Sequence, residues 1–432
     1  MPWEMLLVLV FLGLFILMLA GLPIAFSLGL SGIIAILLYW PEGLRAVGLL
    51  SLQAGKTFEF IAVPMFILMG SVITFSGFGR DFYDTVQKWT RALPGSLAVA
   101  TMVMSSAFAA LTGSSTANTA AIGTMTLPEM AHRNYNMRLA AGVVAAGGAL
   151  GILIPPSLAM IIYGMMAQKS VAKLFMAGVI PGIIMTIIFI IYIVIRCLQH
   201  PDWAPRLPPA TWREKMFSLY RVWGLLFLVL LVLGTIYMGI ATPTEASAIG
   251  ALGALILALV YRQLNWANIR RALLATVNLT TMVMFIVVGG LLFSKVLITM
   301  GLAQQLAKFF AELPVNRWVI VVGFNIMFLV LGCFVDPTSL IIIFIPLLAP
   351  ILEHLGFDLI WFGVILTINM EVANLTPPVG YNLFVLKAVA PDIGFGDIVR
   401  GVIPFIIMYI FGIGLVMLFP QLALWLPRTM RI

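Results

Sequence analysis

Apolar runs long enough to cross a lipid bilayer follow one another along almost the whole chain. A membrane helix needs about 20 mostly apolar residues, and runs of this kind cover residues 4–21, 24–40 and 178–195, with a shorter one at 63–75. The sequence of 432 residues is 62% hydrophobic and 9% charged, with a mean hydropathy of +1.13. Such a composition requires lipid as the solvent. The sequence therefore predicts an all-α polytopic membrane protein without a separate soluble domain.

Charged residues lie mostly in the turns between these runs. The formal net charge is +8, but Lys and Arg in short connecting segments orient the spans and meet anionic lipid headgroups. This pattern favours membrane lipid as a partner and argues against nucleic acid. The first charged residue of the chain is the acidic Glu4, whereas a cleaved signal peptide starts with basic residues. We therefore expect the first apolar run to be retained. Cys197 and Cys333 lie in apolar surroundings, which argues against a disulfide framework.

Residues 112–121, Thr-Gly-Ser-Ser-Thr-Ala-Asn-Thr-Ala-Ala, are small and rich in hydroxyl groups. They suit a lipid-facing helix poorly, because hydrocarbon leaves polar groups unsatisfied. Such a stretch is typical of bent backbone that is buried in protein and faces an ion or solute at membrane depth. Close packing of membrane helices through small residues is the alternative.

A second irregular segment, Gly151–Ser157, carries the pair Pro155-Pro156 between two apolar stretches. Paired prolines interrupt a helix, since each lacks an N–H and pushes the preceding residue out of the helical region. The apolar flanks place this interruption at membrane depth, which predicts a discontinuous helix. An ordinary proline kink is the alternative, because membrane helices tolerate proline.

Residues 196–221 are the most polar stretch, and we interpret them as a linker between a first membrane repeat, 1–195, and a second, 222–432. The positive-inside rule predicts a cytoplasmic linker. Its basic residues are Arg196, Arg206, Arg213, Lys215 and Arg221.

Short matches between the two halves occur in one order at a nearly constant spacing. Pro155 answers Pro377 and Thr116 answers Thr338, both 222 residues apart, and Gly-Val-Ile-Pro at 178–181 recurs at 401–404. Paired interrupted segments in two halves are typical of secondary transporters with a site at the repeat interface. An inverted arrangement would put the basic tail, Arg428 and Arg431, opposite the basic linker, in conflict with the charge rule. The membrane orientation therefore stays open.

Four motifs together resemble the large membrane subunit, of the DctM type, of tripartite ATP-independent periplasmic (TRAP) transporters. They are the Gly-Ser-Ser-Thr-Ala-Asn core at 113–118, Gly151–Ser157, Asp336-Pro-Thr338 and Asn374–Gly380. The resemblance keeps the order of the motifs and covers nearly the whole chain.

This resemblance implies two inverted repeats, each with a re-entrant helical hairpin and a discontinuous helix, as in elevator-type members of the ion-transporter superfamily. It further implies sodium as the coupling ion, no organic cofactor and a location in the bacterial inner membrane. The implied partners are a small four-span permease subunit and a periplasmic solute-binding protein. The implied substrate is a small organic anion, such as a dicarboxylate, a sialic acid or a keto acid.

Oxygen-bearing side chains and freed carbonyls at the interruptions predict sodium sites, because unwound backbone supplies hard oxygen ligands inside membranes. The first predicted set is Ser114, Ser115, Thr116, Asn118, Gly151 and Ile154. The second is Asp336, Thr338, Ala373, Asn374 and Thr376. Neutral oxygens suit a monovalent ion that is released in every cycle. We expect no other metal, since three scattered histidines do not form a zinc site.

Asp336 is a carboxylate with apolar residues on both sides. A charge inside the membrane is costly unless it is paired or ion-bound, so a functional role is the default hypothesis. The order Asp-Pro-Thr equally suits a helix N-cap followed by proline at the first helical position. Glu245, Lys295 and Glu371 are further charges near apolar segments, and the sequence assigns them no role.

Two other functions remain compatible with the sequence. One is a stand-alone ion-coupled carrier that needs no binding protein. The other is a membrane-embedded enzyme that uses Asp336 or Glu371 with His132 or His354, although no nucleophile–base arrangement is visible. No phosphate-binding loop is complete, since Leu50 stands where its first glycine would be needed. We therefore predict a transporter driven by an ion gradient and not an enzyme.

Overall fold

The computed structural model describes residues 3–39, 41–205 and 208–430, and over these ranges the chain forms twenty α-helices and no β-strand. The first half contains α1 (Trp3–Leu19), α2 (Ile24–Tyr39), α3 (Leu44–Lys56), α4 (Ala62–Phe75), α5 (Phe78–Thr90), α6 (Ser96–Thr112), α7 (Ser115–His132), α8 (Met137–Ala149), α9 (Leu158–Met166) and α10 (Val171–Gln199). The second half contains α11 (Trp212–Tyr237), α12 (Pro243–Val260), α13 (Trp266–Thr299), α14 (Leu302–Glu312), α15 (Arg317–Gly332), α16 (Pro337–His354), α17 (Leu359–Leu375), α18 (Tyr381–Val389), α19 (Phe395–Leu418) and α20 (Gln421–Arg428).

The lengths and compositions of these helices confirm the predicted all-α membrane fold. In the described part of the chain, seven helical segments are long and apolar enough to cross a membrane. They are Phe58–Phe75, which includes α4, together with α10, α11, α12, α13, α16 and α19. Shorter apolar helices, such as α1, α2, α6, α15 and α17, accompany them.

The predicted linker overlaps the ends of two helices. α10 continues to Gln199, a 3₁₀ turn covers Pro201–Trp203, and α11 starts at Trp212. Helix propensity and apolar content extend both spans into the polar stretch. Arg206 in the linker, Arg431 in the tail and Trp40 at the end of the second apolar run lie outside the described residues.

Helix bounds in the two halves follow the spacing found in the sequence. α7 and α16 start at Ser115 and Pro337 and end at His132 and His354, so both ends are 222 residues apart. The pairs α6 and α15, α8 and α17, α9 and α18, and α10 and α19 follow in the same order. Each half thus contains a bend between two helices and then an interrupted helix. Re-entrance and inversion of the two halves stay predictions.

α8 and α17 lie at the centre of the helices that carry these interruptions. All residues of α8 from Leu139 to Ala149 are buried, and so are all residues of α17 except Ile360. A helix that is buried on all sides is a core helix. α8 packs against α6, α7 and α19, whereas α17 packs against α15 and α19. Since both interruptions follow the C-terminal ends of core helices, the surrounding protein holds them in place.

Contacts between distant segments define two ends of the molecule. At the linker end, the Asn136 N–H in the α7–α8 turn donates to the Trp203 carbonyl of the linker at 2.9 Å. At the far end, Lys169 in the α9–α10 turn pairs with Glu353 of α16 at 2.8 Å. Basic residues on the segments of the linker end include Arg133, Arg138, Arg196, Arg213 and Lys215. The positive-inside rule therefore applies to this whole end and not only to the linker.

Candidate functional site

The bend between α6 and α7 is built around Gly113 and Ser114. Gly113 has φ = +61°, in the left-handed region, and a Cβ there would lie 2.8 Å from the Pro156 carbonyl oxygen. Only glycine meets both requirements without strain. Ser114 then caps α7, because its Oγ accepts a hydrogen bond from the Ala117 N–H at 3.5 Å. The hydroxyl-rich stretch therefore forms a helix end and a helix start that face the proline segment.

The first discontinuous helix is interrupted at its proline pair, as the sequence predicts. α8 ends at Ala149, a 3₁₀ turn covers Leu150–Ile152, and α9 starts after Ser157, whose Oγ caps it. The Leu158 N–H donates to the Gly113 carbonyl at 3.2 Å, and a Cβ on Gly151 would lie 2.7 Å from the Ser114 carbonyl oxygen. The two irregular segments of the first half are thus in direct contact.

Asn118 joins α7 to the neighbouring helices from a fully buried position. Its Nδ2 donates to the carbonyls of Ser105, Gly147 and Gly148 at 3.0, 3.4 and 3.3 Å. Its Oδ1 has no hydrogen-bond partner among the described residues. An unpaired buried acceptor is costly, and a cation beside it would remove that cost.

The bend between α15 and α16 is longer than the first, covering 333–336, but it also ends in a residue that caps the next helix. Asp336 caps α16, accepting from the Ser339 N–H at 3.1 Å and from the Ser339 hydroxyl at 2.5 Å. Pro337 occupies the first turn, so the capping role expected from the sequence is present. Asp336 and Ser114 are N-caps 222 residues apart. A carboxylate replaces a hydroxyl at this position of the second half.

The second interrupted helix differs from the first in its exposure. α17 ends at Leu375, and the Thr376 hydroxyl donates to the Val372 carbonyl at 2.6 Å. Asn374 is 2% exposed, and its Oδ1 lacks a partner within the described ranges. Pro377 and Pro378 are exposed, whereas the first proline pair is buried. The Pro155–Pro156 and Pro377–Pro378 peptide bonds are both cis.

The two interruptions converge through residues from opposite halves. The Ser115 hydroxyl donates to Oε2 of Glu371 in α17 at 3.0 Å, and the Ile152 N–H donates to Oε1 at 3.3 Å. Asn382 of α18 donates from Nδ2 to Ser115 Oγ at 2.7 Å. Asn374 follows Glu371 by three positions on α17, so both side chains lie on the same face of that helix. One polar cluster therefore connects the bend of the first half with both interrupted helices.

The structure brings the predicted residues together to different degrees. Ser114, Ser115, Asn118 and Gly151 lie around one junction, and the Thr116 hydroxyl is 3.3 Å from that of Ser114. Ala373 packs closely against Gly332 at the end of α15: a Cβ added to Gly332 would lie only 2.5 Å from the Cβ of Ala373. Ile154 packs against Gly182 of α10. In the described parts of the chain, no hydrogen bond joins the side chain of Thr338 to Asn374 or Thr376.

The oxygen donors of this cluster do not form a transition-metal site. Among the described residues, no group of three or more His, Cys, Asp or Glu side chains is placed to hold a metal ion. The available donors are hydroxyl, amide and backbone oxygens with one carboxylate, a set that suits hard cations.

A family model decides what kind of protein carries this arrangement. The model described as "Tripartite ATP-independent periplasmic transporter, DctM component" matches residues 11–422. The chain belongs to the DctM family. The resemblance noted in the sequence is thereby confirmed, and this DctM-family chain is a multi-pass inner-membrane protein and a transporter component, not an enzyme.

Curated relatives and a solved structure agree with this assignment. The C4-dicarboxylate TRAP transporter large permease protein DctM of Pseudomonas aeruginosa is 38% identical over 406 residues, covering 93% of this chain and 94% of the relative. Its namesake from Rhodobacter capsulatus is 33% identical over 441 residues, covering 98% and 99%. The crystal structure of the YdaH transporter of Alcanivorax borkumensis has a TM-score of 0.64 at 14% identity and covers 90% of each chain. That likeness concerns the fold alone.

The polar cluster contains two residues that the sequence analysis did not place there. Glu371 stood out only as a charge in an apolar segment, three positions before Asn374, and a buried carboxylate of this kind is itself a signal. Nothing singled out Asn382. Of the other two charges without a role, Glu245 forms a capping box with Thr242 at the start of α12, and Lys295 is half-buried in α13.

Proposed function

We propose that this chain is the large permease of a sodium-coupled transporter that imports a small organic anion, a carboxylate, with the help of a periplasmic binding protein. The observation that carries the proposal is a pair of buried amide oxygens, Asn118 Oδ1 and Asn374 Oδ1, at the two interruptions. Neither has a hydrogen-bond partner among the described residues. Bound cations would supply the missing partners, and the family description excludes ATP as the energy source.

The proposed first sodium site lies where the α6–α7 bend meets the 3₁₀ turn after α8. Short distances between the bend and Gly151 bring hydroxyls and freed carbonyls to one point, as in transporters that bind ions at unwound helices. Its proposed ligands are Ser114, Ser115, Thr116, Asn118, Gly151 and Ile154.

The proposed second sodium site lies between the α15–α16 bend and the end of α17. Contact between Gly332 and Ala373 brings these two segments together, and Asn374 adds the unpaired amide oxygen. Its proposed ligands are Asp336, Thr338, Ala373, Asn374 and Thr376. No metal other than sodium and no organic cofactor is part of the proposal.

A carboxylate substrate agrees with the helix starts at the site. α7 and α9 both start at the first junction, where Leu158 donates to the Gly113 carbonyl, and helix N-termini favour negative charge. The relatives from Pseudomonas aeruginosa and Rhodobacter capsulatus are named for C4-dicarboxylates. The exposed Pro377 and Pro378 mark a side on which such a solute can approach.

The proposal includes an elevator movement, a small four-span permease and a solute-binding protein. The tripartite family description supports two further components. A cavity of about 550 Å³ at the far end lies between Thr242–Thr244 at the start of α12 and the α9–α10 turn at Met165–Val171. Space between these two groups of helices would allow one to slide past the other.

Uptake by proteoliposomes tests this function. With the chain, its small permease and the binding protein present, we expect uptake of a labelled C4-dicarboxylate to require both sodium and the binding protein. Ser115→Ala and Thr338→Ala should raise the sodium concentration for half-maximal uptake, because each removes an oxygen ligand. Thr126→Val, which loses a buried hydroxyl bonded only to the Ile122 carbonyl within α7, is the matched control.

The outcomes separate the competing functions. Uptake that ignores sodium and the binding protein would refute the tripartite, sodium-coupled function. Sodium-dependent uptake without the binding protein would instead favour the stand-alone carrier. Unchanged sodium dependence in both alanine variants would refute the proposed ligand sets.

A further inference from the structure

Glu371 is a fully buried carboxylate that receives hydrogen bonds but no positive charge. It is 0% exposed, and the Ser115 hydroxyl and the Ile152 N–H each donate to one of its oxygens. The ion pairs formed by the described side chains lie elsewhere: Lys88–Asp84, Arg133–Glu129, Arg138–Asp397 and Lys169–Glu353. A carboxylate without a counter-charge in a membrane protein is expensive, which points to a role beyond packing.

The hydrogen bonds around Ser115 show what Glu371 does to the hydroxyl. A serine hydroxyl has one proton and two acceptor lone pairs. Its proton points to Glu371 at 3.0 Å, and the Asn382 amide occupies one lone pair at 2.7 Å. The remaining lone pair is free for a cation. Without an acceptor at position 371, the hydroxyl proton could turn into that direction.

The second oxygen of Glu371 acts on the backbone of the same junction. Oε1 accepts from the N–H of Ile152 at 3.3 Å, in the 3₁₀ turn Leu150–Ile152 that presents the backbone of Gly151. One carboxylate thus fixes a side-chain oxygen and a peptide segment at one point. Because Glu371 lies three positions before Asn374 on α17, the same helix end connects this carboxylate with the second interruption.

We propose that Glu371 is the positioning residue of the sodium site at the first interruption. It orients the Ser115 hydroxyl and holds the 3₁₀ turn so that their oxygens face the ion, although it belongs to the opposite half of the chain. This role rests on the proposed sodium site and adds to it a residue that couples the two interruptions.

Sodium-dependent unfolding of the purified full chain tests this role, with choline replacing sodium at constant ionic strength. A ligand that binds the folded state raises the unfolding temperature. Glu371→Gln should raise the sodium concentration for half-maximal stabilisation roughly tenfold, the usual lower effect of losing a group that orients a metal ligand. Glutamine keeps one acceptor oxygen and replaces the other with an NH₂ donor, so it cannot accept from the Ser115 hydroxyl and the Ile152 N–H at the same time. In a Ser115→Ala background, most of this effect should disappear, since the two residues act as a unit.

The control and the second variant keep the proposal falsifiable. Thr367→Val, at a buried position of α17 whose hydroxyl bonds only to the Gly363 carbonyl, should leave the sodium requirement unchanged. Glu371→Asp keeps the charge but is one methylene too short to reach both donors, so it should also weaken sodium binding. Equal sodium requirements in wild type, Glu371→Gln and Glu371→Asp, or an undiminished Glu371→Gln effect without Ser115, would refute the role of Glu371. A wild-type chain that ignores sodium would refute the site itself.

Discussion

At the scale of single residues, Asn118 shows how one side chain organises the junction. Its amide nitrogen reaches three carbonyls on α6 and α8, while its oxygen is left without a partner among the described residues. The donor end holds the helices together, and the acceptor end is available to an ion. Under the proposed function, stability and ion binding therefore depend on the same residue.

We expect Asn118→Ala to lower the free energy of unfolding by roughly 1–3 kcal/mol, because buried hydrogen bonds between helices are lost, and to weaken the stabilisation by sodium. The carbonyls of Ser105, Gly147 and Gly148 each lose one hydrogen bond, although the Leu150 N–H still donates to the latter two. The proposed ion loses an oxygen ligand. Thermal unfolding in detergent, with and without sodium, measures both effects. Thr126→Ala, also fully buried on α7, should change stability less and leave the sodium response intact. Equal behaviour of the two variants would contradict this role of Asn118.

At the scale of elements, the close approach of α8 and α19 supports the core under the first interruption. Gly401 of α19 lies against the backbone of α8. A Cβ added to Gly401 would clash with the Arg138 carbonyl oxygen and lie 3.2 Å from the Gly142 nitrogen. Small residues at such crossings let helix backbones meet. Because α8 leads directly into the interrupted segment, the position of this crossing sets the position of the 3₁₀ turn.

Gly401→Ala should destabilise the protein by about 1–3 kcal/mol, the range seen when well-packed interiors are overfilled. Backbone atoms on α8 cannot move aside as a flexible side chain would. Gly396→Ala on the same helix is the matched control, since its Cβ would meet nothing within 4 Å. The control should be neutral or slightly stabilising, as alanine favours helix over glycine. Comparison of the two unfolding temperatures checks this, and equal losses would rule out the tight crossing.

The sequence predicts the interruptions well, because their causes are local. Gly113, the proline pairs and the Asp336 cap restrict the backbone wherever they stand, and the 222-residue spacing places a proline pair and a capping residue in each half. Glu371 and Asn382 could not be placed in this way. They lie 256 and 267 residues from Ser115 and meet it only through the packing of α17 and α18 on the first half. Chain order carries no direct signal of such a contact.

At the scale of the whole molecule, the two ends carry unequal charge and this favours one orientation. The linker end gathers Arg133, Arg138, Arg196, Arg213 and Lys215, so we expect it to face the cytoplasm. Tyr237, at the other end of α11, donates to Thr429 at 3.3 Å, which puts Arg428 at the far end. Arg428 therefore lies opposite the basic linker end, against the charge rule, and the larger basic group at the linker end decides the orientation that we expect.

Cysteine labelling in spheroplasts tests this orientation. We expect Pro314→Cys, at an exposed far-end position, to react with a membrane-impermeant maleimide in intact spheroplasts. Pro209→Cys, exposed in the linker, should react only after the membrane is disrupted. Wild type is the background control, because Cys197 and Cys333 are buried. The reverse labelling pattern would show the opposite orientation.

The bond between Ser115 and Glu371 occurs on one side of the 222-residue relationship only. The spacing matches Ser115 with Pro337 and Glu371 with Ala149, and neither of these can donate or accept through its side chain. The bond therefore has no counterpart in the other half of the present chain. The two proposed sites are chemically unequal as a result, one served by a carboxylate from the other half and one by its own Asp336. We expect such unequal sites to fill at different ion concentrations, which would give ion loading an intrinsic order.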